Sequence, residues 1–253
     1  MKIRFLVLLI LGVLSSCASK KDIFYMQDAT PIAETEVNYV SSVIQPNDIL
    51  RINVESIVPE AAIPYNRGTG QGMVQQNPQM LQLDGYLVSE QNTISFPILG
   101  TISTAGKTTE ALAKHITEIL VSGGHLKQPT VNVRLVNAKV TILGEVNQPG
   151  TYTFTEQNIT LLQALGYAGD LTINGKRDDV LLTREVDGNR RVTHIDLTSA
   201  EFMNGEFYFI KPNDVIVVNP NKPRVMNSGY ISNVGVVFGA VSLALSIAVL
   251  LSR

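Results

Sequence analysis

Between residues 43 and 220, apolar and polar residues alternate with a period of two in many short stretches, which predicts a body built largely of β-strands. The first such stretch, DILRINVES, is rich in β-branched residues that favour strands. Two segments change to the period of a helix. In KTTEALAKHITEIL the apolar residues recur at i, i+4, i+7 and i+8, and two glycines follow. A second, shorter helix is predicted in NITLLQALGYAGD.

The order of these elements divides the body into two modules and predicts an α+β fold. Residues 39–137 form a β-rich first module whose helix precedes the strand TVNVRLV. Residues 138–223 form a second module, in which KVTILGEVNQPGTYTF predicts two strands around a turn at Pro149 and Gly150. The shorter helix follows, and then a hairpin with an Asp-Gly turn. A small sheet curved around one helix is a β-grasp-like arrangement.

The N-terminal residues carry the pattern of an exported protein. Lys2 and Arg4 precede a ten-residue apolar run that is too short to span a bilayer as a helix, so residues 1–16 are predicted to be a signal peptide. The sequence LSSC that ends at Cys17 resembles a bacterial lipobox, in which the thiol is diacylated and the chain is cut before it. Cys17 is the only cysteine and the predicted lipidation site, with residues 17–38 as a lipidated tether. The alternative is an ordinary secretory signal with an incidental cysteine.

At the other end, residues 224–253 include a second apolar segment. Residues 231–251 run for 21 positions without a charge, and a helix of that length would be about 30 Å long, the thickness of a hydrocarbon core. This pattern predicts a single C-terminal transmembrane helix; the alternative is a buried core helix. Small residues recur along one stripe of it and predict helix packing or a lumen lining: Ser232, Gly235, Gly239, Ser242 and Ser246.

One phrase occurs twice, as IQPNDILRINV at 44–54 and as IKPNDVIVVNP at 210–220. We define its core as the first and second Pro-Asn-Asp turns: Pro46, Asn47, Asp48 and Pro212, Asn213, Asp214. Proline suits the second position of a turn, and asparagine tolerates the positive φ that a type II turn requires next. We therefore expect positive φ at both asparagines. Each aspartate can accept hydrogen bonds from nearby backbone N–H groups before a strand begins.

Charge and motif content argue against several functions. The whole chain has 20 basic and 22 acidic residues. Removal of residues 1–16 takes away Lys2 and Arg4 and leaves 18 basic residues against 22 acidic ones, with no basic run. A nucleic-acid partner is therefore not expected. Three widely spaced histidines lack metal-ligand spacing, and no nucleophile or phosphate-binding motif occurs. We expect no catalytic, cofactor or metal site, and the chain is not predicted to be an enzyme.

In their order behind a lipobox, these motifs resemble the outer-membrane polysaccharide export lipoproteins of the Wza type. The resemblance rests on IQPNDILRINV, LDGYLV, FPILGTISTAGKT, EALAKHITEIL and QPTVNVRLV in the first module. In the second, VTILGEVNQPGTYTF and ITLLQALGYAGDLT resemble the soluble-ligand-binding β-grasp (SLBB) domain. Asparagine replaces the family's glycine at positions 47 and 213.

The resemblance implies a homo-oligomeric ring with its body in the periplasm, lipid-anchored in the outer membrane, whose C-terminal helices cross that membrane. Capsular polysaccharide or exopolysaccharide would pass through its lumen. An inner-membrane polysaccharide co-polymerase of the tyrosine autokinase type is the implied partner. The alternative is a periplasmic polysaccharide-binding or scaffold lipoprotein that uses the same β-grasp module without forming a pore.

Overall fold

The computed structural model describes residues 23–29, 37, 39, 41–67, 84–186 and 188–228, and eight isolated positions between 235 and 250. The strands are β1 (Ile49–Glu55), β2 (Tyr86–Leu87), β3 (Thr93–Phe96), β4 (Gly100–Ser103), β5 (Thr130–Leu135), β6 (Lys139–Gly144), β7 (Gly150–Thr153), β8 (Ile159–Thr160), β9 (Gly175–Val186), β10 (Asn189–Ile195), β11 (Phe209–Ile210) and β12 (Val215–Pro220). The α-helices are α1 (Pro59–Ala62), α2 (Thr109–Ser122), α3 (Leu161–Tyr167) and α4 (Lys222–Asn227), and 3-10 helices lie at Ile63–Tyr65 and Ala200–Asn204.

The first module places α2 against a small antiparallel sheet of order β2-β1-β5, with β3 and β4 as a separate hairpin. Leu112, Ile116 and Leu120 lie one turn apart on α2 and are fully buried in the core of this module. The Thr108 hydroxyl caps the helix by accepting from the Ala111 N–H at 3.2 Å. The helix that the apolar spacing predicts is therefore present, and its apolar face is the face that packs.

The second module has a mixed five-stranded sheet of order β10-β9-β12-β6-β7, in which β12 and β6 are the parallel pair. A two-stranded ladder of β8 and β11 lies beside α3. The Thr160 hydroxyl and the Gln163 side chain form a capping box at the start of α3, which fixes where this short helix begins. Because β12 lies between β6 and β9, the last part of the body completes the middle of the sheet.

The prediction of a C-terminal transmembrane helix is wrong, and this component of the predicted fold class is corrected. Among the residues that the structure describes, no helix is long and apolar enough to cross a membrane. α4 has six residues and is about 9 Å long, whereas a spanning helix needs about 20 residues. The prediction rested on the absence of charge over residues 231–251, which is a property of composition and does not by itself establish a membrane span. Most of residues 231–251 lie outside the described residues.

Gly144 allows β6 to end against β12. Its φ is +91°, and a Cβ atom there would overlap the carbonyl oxygen of Val218. That oxygen accepts a hydrogen bond from the Glu145 N–H at 2.9 Å, so it cannot move away without loss of the contact. Only glycine combines this positive φ with such a close approach of two backbones.

We expect Gly144→Ala to lower the free energy of unfolding by at least about 2 kcal/mol, because it adds steric overlap to a strained φ. Gly188→Ala is the matched control, since Gly188 has a φ of +73° and a Cβ atom placed on it would meet no other atom within 4 Å. The control should cost only about 1 kcal/mol. Urea denaturation of the two variants measures both values, and equal losses would contradict the role of the Val218 contact.

Candidate functional site

The two Pro-Asn-Asp turns have the same geometry. φ is +70° at Asn47 and +67° at Asn213, so the positive values predicted from the sequence are confirmed. In each turn the aspartate N–H donates to the carbonyl of the residue before the proline, at 3.2 Å. In each turn, too, the aspartate carboxylate accepts from the N–H of that same residue, at 2.8 Å. Both carboxylates therefore close their own turn and start a strand.

The two turns meet the short linker between the modules. Asn137 lies in this linker; its side-chain oxygen accepts from the Ile49 N–H at 2.8 Å, and its amide donates to the Asn47 carbonyl at 3.0 Å. Two residues later, the Lys139 carbonyl accepts from the Asn213 N–H at 2.7 Å. The repeated phrase therefore lies on both sides of the module junction.

In the second turn, the buried Asp214 carboxylate is paired with a buried cation. The Arg184 guanidinium donates to both carboxylate oxygens, with the closest contact at 2.7 Å, and the two side chains are 2% and 1% exposed. Arg184 also donates to the Phe209 carbonyl at 2.8 Å and lies over the Phe207 ring. Burial raises the pKa of Asp214, and the guanidinium opposes that rise.

In the first turn, the carboxylate is also buried, but none of the described residues pairs a cation with it. Asp48 is 3% exposed, and its hydrogen-bond donor in the described part of the chain is the Gln45 N–H. Burial raises the pKa of Asp48 to about 6, and the single backbone hydrogen bond only partly offsets this. The same turn therefore holds an ion-paired carboxylate in the second module. In the first module it holds a carboxylate that no cation among the described residues pairs with.

A cavity of about 400 Å³, here called the junction cavity, is lined by residues of both modules. Gln45 and Asp48 of the first turn line it, as do Lys211 and Pro212 of the second. Thr109, at the start of α2, and residues 155–157, after β7, complete much of the rest. This volume is within the range of small-molecule sites, which are common at domain interfaces.

The sequence prediction gave the two turns a structural role and found no ligand site. The lining residues come from separate parts of both modules, and no local spacing indicates that they meet. The one available signal was the repetition of the Pro-Asn-Asp phrase, because both copies contribute to the cavity.

Other predicted residues lie away from the junction cavity. Pro149 and Gly150 connect β6 to β7, where Gly150 pairs with Ile142 and the Tyr152 hydroxyl donates to the Gln148 carbonyl at 2.5 Å. Their predicted role in a turn remains a structural prediction.

The predicted lipidation site lies outside the described residues, and the C-terminal stripe is described only in part. Cys17 and Ser232 lie outside the described residues. Gly235, Gly239, Ser242 and Ser246 are helical and exposed. The Ser242 hydroxyl donates to the Gly239 carbonyl at 2.9 Å, and the Ser246 hydroxyl donates to the Ser242 carbonyl at 2.8 Å. The packing or lumen role of the stripe remains a prediction.

The histidines lie in different surroundings. His115 is half-buried on α2, and His125 Nδ1 lies 3.2 Å from the Tyr65 hydroxyl. His194 pairs with Asp179 at the surface of the second module. Within the described ranges, no group of three or more His, Cys, Asp and Glu side chains is arranged to hold a metal ion.

Part of the predicted tether is bound to the second module; we call residues 23–29 the N-terminal strap. The Tyr25 hydroxyl donates to Asp170 at 2.5 Å, and the guanidinium of buried Arg177 lies 5.1 Å from the Tyr25 ring centre. The N–H groups of the next two residues donate to carbonyls of the second module, at 3.0 and 2.7 Å. This stretch of the tether is therefore attached along its length.

Two family models match the chain in tandem. The model described as polysaccharide biosynthesis/export protein matches residues 37–136, and the SLBB domain model matches residues 139–196. The fold is thus that of an export domain followed by an SLBB domain. The chain thus carries a polysaccharide biosynthesis/export domain and an SLBB domain, and the resemblance to Wza-type polysaccharide export proteins seen in the sequence is confirmed.

Curated relatives agree with this assignment. The chain is 27% identical to the EPS I polysaccharide export outer membrane protein EpsA of Ralstonia solanacearum, over 54% of this chain and 37% of that protein. It is 34% identical to EpsA of Ralstonia nicotianae, over 40% of this chain and 27% of the relative. The exopolysaccharide production protein ExoF of Rhizobium meliloti is 31% identical over 36% of this chain and 23% of its own length.

The chain therefore spans about a quarter to a third of the length of these relatives. The matched family is described as polysaccharide biosynthesis/export and the two EpsA relatives as export outer membrane proteins, which indicates a transport protein rather than an enzyme.

The same substitution should have different effects on stability in the two turns at pH 7. Asp214→Asn should lower the free energy of unfolding by about 3–5 kcal/mol, because it leaves the Arg184 cation buried without a counter-charge. Asp48→Asn removes a buried charge that has no cation and should not destabilise the fold at this pH. Urea denaturation of both variants measures the difference, and equal losses would contradict the assignment of the two carboxylates.

The pH dependence gives a second readout for Asp48. The pKa of Asp48 in the folded chain is about 6, above the ordinary value of 3.8. Protonation of Asp48 therefore stabilises the fold fully below pH 4, and this stabilisation is lost as the pH rises through 6. The shift corresponds to about 3 kcal/mol. The stability of Asp48→Asn relative to the unchanged protein should therefore increase by about that amount between pH 4 and pH 7.

Proposed function

We propose that this chain is a subunit of an oligomeric outer-membrane assembly that exports capsular polysaccharide or exopolysaccharide from the periplasm to the cell surface. The observation that carries the proposal is the tandem of an export domain at residues 37–136 and an SLBB domain at residues 139–196. The names of the two EpsA relatives, which are export outer membrane proteins, support it. An inner-membrane polysaccharide co-polymerase of the tyrosine autokinase type is the partner that this role would require.

Attachment to the outer membrane through a lipid on Cys17 is part of the proposal. Tyr25 lies eight positions after Cys17, so an extended chain reaches at most about 28 Å from a lipid on Cys17 to Tyr25 of the N-terminal strap. Because the strap is bound to the second module, a lipid at Cys17 would keep that module close to the membrane surface. A lipid at Cys17 and the bound strap would together anchor the body to the membrane.

The second candidate is a periplasmic polysaccharide-binding or scaffold lipoprotein that forms no pore. The junction cavity favours it, because a concave site of about 400 Å³ between two modules suits ligand binding within a single chain. The two candidates differ in assembly. An export channel needs several copies around a lumen, whereas a binding lipoprotein can act as a monomer.

Deletion of the gene in the source organism should remove most polysaccharide from the cell surface, and the full chain supplied in trans should restore it. Surface polysaccharide is measured by sugar analysis of washed cells. Cys17→Ser should give a chain that leaves the membrane fraction and restores export poorly, because it has no lipid anchor. Unchanged surface polysaccharide in the deletion strain would overturn the export proposal.

The oligomeric state separates the two candidates. We expect the detergent-extracted protein to form closed rings with a central lumen, seen by electron microscopy, and a multiple of the mass of the processed, lipidated chain by native mass spectrometry. Interfaces between subunits should survive dilution if the ring is the functional form. A stable monomer would favour the binding or scaffold lipoprotein instead.

A further inference from the structure

We propose that the junction cavity is a saccharide-binding site in which the Asp48 carboxylate accepts hydrogen bonds from sugar hydroxyls. The choice of a saccharide rests on the proposed function, and the site deepens that function by naming where the chain would hold its substrate. The inference starts from the difference between the two Pro-Asn-Asp turns.

The second turn shows what a buried carboxylate in this position requires. Asp214 receives one backbone N–H and, in addition, the guanidinium of Arg184. Within the described residues Asp48 receives the backbone N–H alone, although it is buried to a similar degree. Buried polar groups are generally satisfied by hydrogen bonds, and charged ones by several. Since Asp48 lines the junction cavity, a ligand in that cavity is a direct source of further donors.

The charge of the cavity walls argues against a strongly charged ligand. Three carboxylates are nearly balanced by two cationic side chains: Asp48, Glu156 and Glu185 against Arg134 and Lys211. A nucleotide or phosphate would need a clear excess of cations, and a polycation would need a clear excess of carboxylates. The balance fits a neutral or singly charged molecule.

The uncharged polar groups of the walls fit a polyhydroxylated ligand. Ser41, Ser42, Gln45, Thr109 and Gln157 line the cavity, and each side chain can both donate and accept hydrogen bonds. A sugar hydroxyl has the same dual character, so such a wall can satisfy several hydroxyls at once.

Apolar groups complete the match to a sugar. Val133, Leu135 and Phe154 also line the cavity and can pack against the C–H face of a sugar ring. Ser41 and Thr109 belong to the first module, whereas Phe154 and Gln157 belong to the second. Binding would therefore depend on how the linker holds the two modules together.

Saturation-transfer NMR and calorimetry on the full chain in detergent test the proposal. The probes are three tetrasaccharides: maltotetraose as the neutral one, and tetragalacturonic acid and the glucosamine tetramer as strongly charged comparisons. We expect maltotetraose to bind more tightly than the two charged probes, and Asp48→Asn to weaken its binding by about tenfold or more, because a hydrogen bond to a charged acceptor is lost.

Two further variants keep the result interpretable. Thr155→Trp adds a large side chain at an exposed position of the cavity wall and should also reduce binding. Glu118→Gln makes the same carboxylate-to-amide change on the exposed face of α2, away from the cavity, and should leave binding unchanged. Equal affinities in all three variants, or no binding of any probe to the unchanged protein, would overturn the site.

The outcome separates the site from the proposed function. Loss of surface polysaccharide on gene deletion, together with no binding of the probes, would overturn the site and leave the export role standing. If Asp48→Asn instead abolishes ring formation and no probe binds, the cavity receives a basic side chain from another protein chain, and the saccharide proposal is wrong.

Discussion

The arrangement of the two modules depends on how the linker at Asn137 is held by hydrogen bonds from both sides. The Asn137 side chain bonds the backbone of the first turn, and the Lys139 carbonyl bonds the backbone of the second. With so few residues between these contacts, the last strand of one module and the first strand of the next have little freedom to reorient. The cavity between the modules exists because the linker is fixed in this way.

The repeated phrase is a case in which one local conformation serves two different electrostatic surroundings. Backbone geometry is decided within four residues, so both copies adopt the same turn. The surroundings are decided by distant strands: β9 brings Arg184 to Asp214, whereas no cation reaches Asp48 within the described chain. Similar sequence therefore implies a similar turn but says little about what its buried charge does.

The difference between local conformation and distant surroundings also explains what could be predicted from the sequence. The helix at Thr109–Ser122, its Thr108 cap and the positive φ at Asn47 and Asn213 follow from interactions within a few residues, and local patterns encode them. The family could be recognised because its motifs occur in a fixed order along the chain.

The junction cavity could not be predicted, because it depends on which distant segments meet. Asp48 and Glu156 are far apart in sequence, and neither has a local pattern that marks it as part of a site. The transmembrane helix was predicted wrongly for a related reason. The absence of charges over 21 residues is a property of composition, and it does not establish a continuous helix.

The N-terminal strap has a consequence for the order in which the chain folds. Tyr25 bonds Asp170, which lies 145 positions further along the chain. A chain is synthesised from its N-terminus, so the strap has no docking surface until the second module has followed it. Docking of the strap is thus a late event in folding. The processing and lipidation proposed at Cys17 would precede it and would not compete with it.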